Sequence, residues 1–188
     1  AHSMGGGIGA LFLEKYQEYF EKAVLSSPMM EINTGNYSEN MAYLISKFFI
    51  YVGKGNNYIF GQGPFNGEYN LEESATSNQY RYSRHLNALR ANEVLQRNGG
   101  SFKWINEAIK ATRKLKKEEN IKKIQIPILL FQSGKDTFVN DEGHNTFRKY
   151  AKNCKFVRFD NGKHELYFEN DDILEPYLKE IVKFYNEI

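Results

Sequence analysis

The chain has 188 residues, 41% hydrophobic and 26% charged, which suits one core with a small subdomain and is too apolar for a disordered segment. A net charge of +2 gives no electrostatic basis for binding nucleic acid, and the single cysteine, Cys154, cannot close an intrachain disulfide. No apolar run reaches the roughly 20 residues that span a bilayer, and the start lacks the basic and apolar parts of a signal peptide, so a cytoplasmic location is expected.

The sequence opens at Ala1 inside a motif, AHSMGG, with no initiator methionine and no strand ahead of it, so the chain reads as a piece of a longer protein. From Met4 to about Tyr19 small residues give way to an amphipathic pattern, which predicts a helix. Glycine costs about 1 kcal/mol in a helix relative to alanine. The run Gly5, Gly6, Gly7 and Gly9 therefore asks for a reason, such as close packing on a sheet or close approach to a ligand. Ala23 to Pro28 is a short apolar run stopped by proline, a buried strand.

The character then changes. Helical periodicity covers Glu39 to Tyr51, Ser74 to Leu95 and Ser101 to Lys117, and a Gly-, Asn- and aromatic-rich loop joins the first two. Lys114, Lys116 and Lys117, followed by Glu118 and Glu119, read as a solvated helix end. IPILLFQSGKD is a strongly apolar strand ending in a polar turn, with Pro127 where a missing N–H is tolerated. Glu142 to Lys152 reads as a helix, Lys155 to Asn161 as a strand and Asp171 to Tyr185 as a final amphipathic helix. This order predicts an α/β fold with parallel strands joined by helical crossovers. Three parts follow: residues 1–30 and 123–188 form the core, and 31–122 form a helical cap insertion.

A serine between a strand and a helix, with small residues two positions to either side, is the nucleophile elbow pattern G-x-S-x-G. Ala1 stands at the first glycine position and Gly5 at the second, where bulky side chains are expected to collide with the adjoining backbone. Ser3 would rise to the sheet edge, with the Met4 N–H as an oxyanion donor. A glycine-rich loop that opens a helix and binds phosphate is the plainer reading. The partners weigh against it. Asp136 follows ILLFQS and His164 follows KFVRFDN, each at a strand's C-terminal end and in the order Ser…Asp…His. As a turn residue and a surface histidine, each alone has an ordinary explanation; three in order and in context are much harder to dismiss. Ser3 would attack an acyl carbonyl, His164 would move the proton and Asp136 would hold the imidazole. His2 belongs to the elbow, His85 lies in the insert, and His144 is expected on the exposed face of its helix.

With these residues in place the chain resembles serine α/β-hydrolases, and most closely the bacterial lysophospholipase L2 and monoacylglycerol lipase group. The resemblance rests on HSMGG, SNQYRYSRHL, GGSFKWINEAI, LLFQSGKD and GKHELYFE. It implies a mostly parallel sheet with flanking helices and a helical cap, and hydrolysis of a monoacyl lipid ester without a cofactor or metal. Substrate contacts are expected from His2, Phe102 and Trp104, within a cap also rich in Tyr43, Phe48, Phe49, Ile50, Tyr58, Phe60 and Phe65. Most of these aromatics are expected to form the cap's own core, the rest facing substrate, and an aromatic cap could touch a membrane surface transiently. Family members carry roughly a hundred residues before the elbow, holding the first strands and a second oxyanion donor. The resemblance thus implies a missing N-terminal part of the same fold, and an isolated 188-residue chain is expected to be inactive. A serine at the elbow argues against dehalogenases and epoxide hydrolases, which place an aspartate there. An acyltransferase, or a non-catalytic protein on the same fold, remains open.

Overall fold

A computed structural model describes residues 1–187. Its elements, in chain order, are helix α1 (Ser3–Tyr16), strand β1 (Ala23–Ser26), helices α2 (Glu39–Tyr51), α3 (Gln79–Ala91), α4 (Phe102–Leu115) and α5 (Glu118–Ile121), strand β2 (Ile128–Ser133), helix α6 (Asp141–Tyr150), strand β3 (Cys154–Phe159) and helix α7 (Asp171–Asn186). The strands form a parallel sheet in the order β1-β2-β3, with Ala23 opposite Ile128 and Ile128 opposite Cys154. The fold is α/β, a parallel sheet with helices on both faces.

Every residue of β2 is buried, the mark of a central parallel strand covered on both sides. Its side chains alternate between two cores, as strand geometry requires. Ile128 and Leu130 join Leu13, Leu25, Met30 and Phe147 on the face that carries α1 and α6. Leu129 and Phe131 join Leu166, Ile173, Tyr177 and Phe184 under α7 on the other. Pro127 sits just before β2, and its carbonyl accepts the Ala23 N–H at 3.0 Å. Outside β1, the backbone of Ala1 and His2 runs parallel to Ser26, whose N–H reaches Ala1 O at 2.9 Å.

The long segment between β1 and β2 has its own small core, where Ile105, Ala108 and Ile109 of α4 meet Met29, Ile32 and Val139. Side-chain caps start its helices: Ser38 accepts from Met41 N at 3.3 Å, Asn78 from Arg81 N at 2.9 Å and Ser101 from Trp104 N at 3.1 Å. Two features differ from the sequence expectation. Ser74–Asn78 is not helical; its backbone and side-chain groups are bonded across to the loop after β3, and the helix begins only at Gln79. Lys116 is not a free solvated charge, because it bridges Glu31 at 2.7 Å and Glu39 at 3.1 Å, fastening α4 to α2 and to the chain after β1. Among the described residues, no helix is long and apolar enough to cross a membrane.

Candidate active site

The sequence puts Ser3 where an extended residue turns directly into a helix. His2 is extended, Ser3 has φ of 51°, and α1 follows at once. A positive φ at a non-glycine residue is strained and persists only where the surroundings enforce it. Here the enforcing contact is visible, for Met29 N–H donates to Ser3 O at 2.8 Å. The turn after β1 that supplies this bond contains a second such residue, Ser27, with φ of 41°. Its hydroxyl lies 2.7 Å from that of Ser133, at the end of β2.

The expected steric reason for the small residues needs correcting. A Cβ added to Gly5 would meet nothing within 4 Å outside its own stretch of chain, and one on Gly9 would touch Ala1 Cβ only at 3.7 Å. The tight positions are the next two. A Cβ on Gly6 would come within 2.7 Å of Pro28 Cβ, and one on Gly7 within 2.5 Å of Met29 O. The glycines let α1 lie against the turn after β1, which is the same turn that holds Ser3 by its carbonyl.

Ser3 Oγ lies 2.8 Å from His164 Nε2, and His164 Nδ1 lies 2.6 Å from Asp136 Oδ2. The geometry fixes the tautomer: Nδ1–H donates to the carboxylate, and Nε2 is left to accept the serine hydroxyl. The second carboxylate oxygen, Oδ1, accepts the N–H groups of Phe138 at 2.8 Å and Val139 at 3.1 Å, so the acid is oriented before the histidine reaches it. The Asp136 and His164 side chains are only 2% and 7% exposed, which strengthens the bond by keeping water away. At the start of α1 the Met4 N–H has no acceptor among the described residues, because first-turn donors have no intrahelical partner. It adjoins Ser3 at the positive end of the helix dipole.

His2 packs on the far side of the histidine loop. Its ring is 4.7 Å from that of His164 and 5.1 Å from that of Tyr167, and its Nε2–H donates to His164 O at 3.2 Å. Burial, with the neighbouring His164 as a smaller cause, pushes the His2 imidazole down to about 4. It is therefore a neutral donor that braces the loop at ordinary pH, and it lines none of the described cavities. Phe102 is stacked on Phe49 at 4.1 Å and lines an apolar cavity of about 380 Å³ with Ala42, Ile45, Ile59, Phe60 and Ile105. Trp104 is partly exposed and lines a larger cavity of mixed polar and aromatic lining.

Three residues that matter here were not singled out by the sequence. Glu169 is fully buried, and its carboxylate accepts from Lys163 N at 2.9 Å, Ser77 N at 3.1 Å and Asn170 N at 3.3 Å. It ties the residue before His164 to the segment entering α3. Phe138 lays its ring 5.0 Å from that of His164. Gln132, on β2, is within 3.4 Å of His144 Nδ1. The expectation of an exposed His144 is overturned: it is 1% exposed, and its Nε2–H donates to Pro28 O at 2.7 Å. Its side chain thus supports the turn beneath the elbow, and burial holds its imidazole below the usual histidine range. Glu169 and Gln132 had a signal within reach, as members of GKHELYFE and LLFQSGKD; Phe138 had none.

A parallel sheet with a serine, a histidine and an acid meeting at the strand ends is the architecture of an α/β-hydrolase, and comparison with solved structures agrees. The monoglyceride lipase of Saccharomyces cerevisiae, a soluble variant in complex with a substrate analog, superposes with a TM-score of 0.70 at 18% identity, covering 97% of this chain and 59% of that one. The monoacylglycerol lipase of Paleococcus ferrophilus gives 0.71 at 17% identity, covering 97% and 65%. Residues 1–171 match the family described as serine aminopeptidase, S33, and the chain belongs to that family. It is 31% identical over 189 residues to a Haemophilus influenzae protein named probable lysophospholipase L2, and 23% identical over 193 residues to lysophospholipase L2 of Escherichia coli K12. Each alignment takes in 99% of this chain, which spans 58% and 56% of the length of those two relatives.

Proposed function

We propose that this chain carries the acyl-transfer machinery of a serine hydrolase that cleaves the ester of a monoacyl lipid, a lysophospholipid or a monoacylglycerol. The observation that carries the reading is the unbroken line of hydrogen bonds from Ser3 through His164 to Asp136, at 2.8 and 2.6 Å, with the serine raised on a strained turn. Ser3 Oγ attacks the ester carbonyl carbon while His164 Nε2 takes its proton. The negative charge that develops on the carbonyl oxygen is met by the Met4 N–H. The intermediate collapses, His164 returns the proton to the departing alcohol, and the acyl group stays on Ser3. Water, deprotonated by the same imidazole, then releases the fatty acid and restores the serine. Asp136 stays ionised throughout and stabilises the imidazolium.

The lipid character of the substrate is supported by the named relatives and by the apolar cavity that Thr137, next to Asp136, shares with Phe102 and Ile105. We take residues 31–122 as the cap that builds this cavity. The reading is tested by a fluorophosphonate probe on the native protein. Covalent labelling that disappears in Ser3→Ala, together with release of fatty acid from a monoacyl lipid, is the expected result. A Ser3→Ala protein labelled as fast as its parent would refute it.

A further inference from the structure

The hydrolase reading requires the His164 imidazole to become a cation in both halves of the reaction. As Ser3 Oγ bonds to the acyl carbon its proton passes to Nε2, and the same nitrogen later takes a proton from the water that releases the acid. Whatever stabilises that cation lowers both barriers. Asp136 Oδ2 lies 2.6 Å from Nδ1, and Ser3 Oγ lies 2.8 Å from Nε2. His2, 4.7 Å away ring to ring, is kept neutral by burial and sends no charge towards it. His144 is neutral for the same reason and is turned to the Pro28 carbonyl. Lys163 directs its ammonium to the carbonyls of Leu71 and Glu72, and the Glu165 side chain is hydrogen-bonded to Tyr167. The other ring beside His164 is that of Phe138, at 5.0 Å.

Packing does not account for where this ring lies. The backbone of Phe138 is held on both sides, its N–H donating to Asp136 Oδ1 at 2.8 Å and its carbonyl accepting the Asn33 N–H at 3.0 Å. Val139, the next residue, enters the small core with Met29 and Ile32. The Phe138 ring joins none of the three apolar clusters among the described residues and is 47% exposed. Its anchored backbone nonetheless sets it against the imidazole, with the two planes 39° apart, nearer to stacked than to edge-on. An aromatic ring attracts a cation within about 6 Å of its centre through the negative charge on its face, and attracts a neutral group far less. Since the N–H of the same residue holds the acid, carboxylate and ring are carried to the imidazole by one short piece of chain.

We propose that Phe138 is a positioning residue for acyl transfer, its N–H orienting Asp136 and its π face stabilising the imidazolium that forms on His164. The proposal rests on the hydrolase reading above and adds a second source of charge stabilisation to that of Asp136. It acts through the histidine, and the direction of its effect is distinctive. A ring that favours the cation delays loss of the proton. Removing the π face therefore leaves the imidazole neutral, and the protein reactive, to lower pH, while slowing the step that creates the cation. A ring that only shields the imidazole from water acts the other way, because opening the shield favours the charged form and moves the loss of reactivity to higher pH.

The test is the second-order rate constant for fluorophosphonate labelling of the full-length protein, followed from about pH 5 to 9. It is measured in the native protein, Phe138→Leu, Phe138→Met and Phe138→Tyr. Leucine and methionine keep an apolar cover without a π face, and tyrosine keeps the face. In Phe138→Leu and Phe138→Met the midpoint of the acid limb is expected to fall by about half a pH unit and the plateau rate by about two- to fivefold. Phe138→Tyr should stay close to the native protein in both. His2 and His144 are the same in all four proteins, so the differences between midpoints report on His164. The ring is exposed and the backbone bonds at this position do not involve it, so the variants should fold, and either aliphatic variant suffices. A midpoint at or above the native one in those variants overturns the proposal, as does a tyrosine variant that behaves like them, and both results leave the hydrolase reading standing. A native protein that does not label overturns the hydrolase reading, and the proposal falls with it.

Discussion

The buried carboxylate of Glu169 offers the sharpest check on how the site is held. Replacing it with alanine removes the acceptor for three backbone N–H groups, those of Lys163, Ser77 and Asn170. Each interior donor left without a partner costs about 1–3 kcal/mol, and water entering the vacated space would offset part of that. A net loss of about 2–5 kcal/mol is therefore expected, read as a lower urea midpoint at unchanged slope. The more informative consequence is kinetic. Lys163 precedes His164, so freeing its N–H loosens the imidazole against Ser3. The rate constant for fluorophosphonate labelling, measured well below the melting temperature, should fall by roughly ten- to a hundredfold, because misplacement on the ångström scale has that effect. Glu169→Gln keeps one oxygen for the Lys163 and Ser77 bonds and turns an amide towards Asn170, so it should recover most of the rate at a cost of about 1 kcal/mol. An alanine variant that labels at the parental rate would show that the clamp does not position the histidine.

Other expectations are quicker to check. Gly6→Ala and Gly7→Ala should each destabilise the protein by about 1–3 kcal/mol through overpacking against Pro28 and Met29, whereas Gly5→Ala, with open space beside it, should be neutral or stabilising by up to about 1 kcal/mol; equal melting temperatures for the three would refute this. His144 and His2 both have folded values below the ordinary 6.5. The unfolded chain therefore binds more protons just below that pH, so stability is complete above 6.5 and declines as the pH falls towards 5. A urea midpoint that is the same at pH 7.5 and 5.2 would contradict this, and His144→Gln, which keeps a donor for Pro28 O, should flatten part of the decline. Burial pushes the Cys154 thiol up to about 12, so iodoacetamide at pH 8 should modify it only after denaturation; rapid alkylation of the native protein would refute the burial.

What could be read in the sequence was what repeats or punctuates locally. The continuous apolar run of β2, the heptad-like pattern of α4 and the proline after β1 each announce an element, because burial on both faces, burial on one face and a missing donor leave different traces along the chain. The placement of Ser3, Asp136 and His164 at element ends was legible for the same reason. Contacts between distant segments were not. Ser74–Asn78 has helical periodicity but is drawn out by bonds to a loop about ninety residues away, Ser77 to Glu169 being 92 residues apart. His144 sits among polar neighbours, and nothing local says that its side chain turns inward to the Pro28 carbonyl. Lys116 reads as one lysine in a run until Glu31 and Glu39 arrive from other elements. The elbow shows the limit most plainly: the glycines were noticed, but which of them bears the packing depended on a turn more than twenty residues further on.

The helical segment between β1 and β2 is joined to the sheet by its two covalent ends, by the packing of α4 against α1 and the core, and by a set of hydrogen bonds to the loop after β3. Lys163 Nζ donates to the carbonyls of Leu71 at 2.9 Å and Glu72 at 2.7 Å, Glu165 N–H to that of Ala75 at 2.9 Å, and Thr76 Oγ1 to that of Phe168 at 2.8 Å. A chimera that exchanges this segment for that of a homologue at its covalent junctions alone would cut that seam and leave residues 163–169 facing an unrelated surface. The transplantable unit is therefore discontinuous, and a graft must carry the histidine-bearing stretch together with the helices above it.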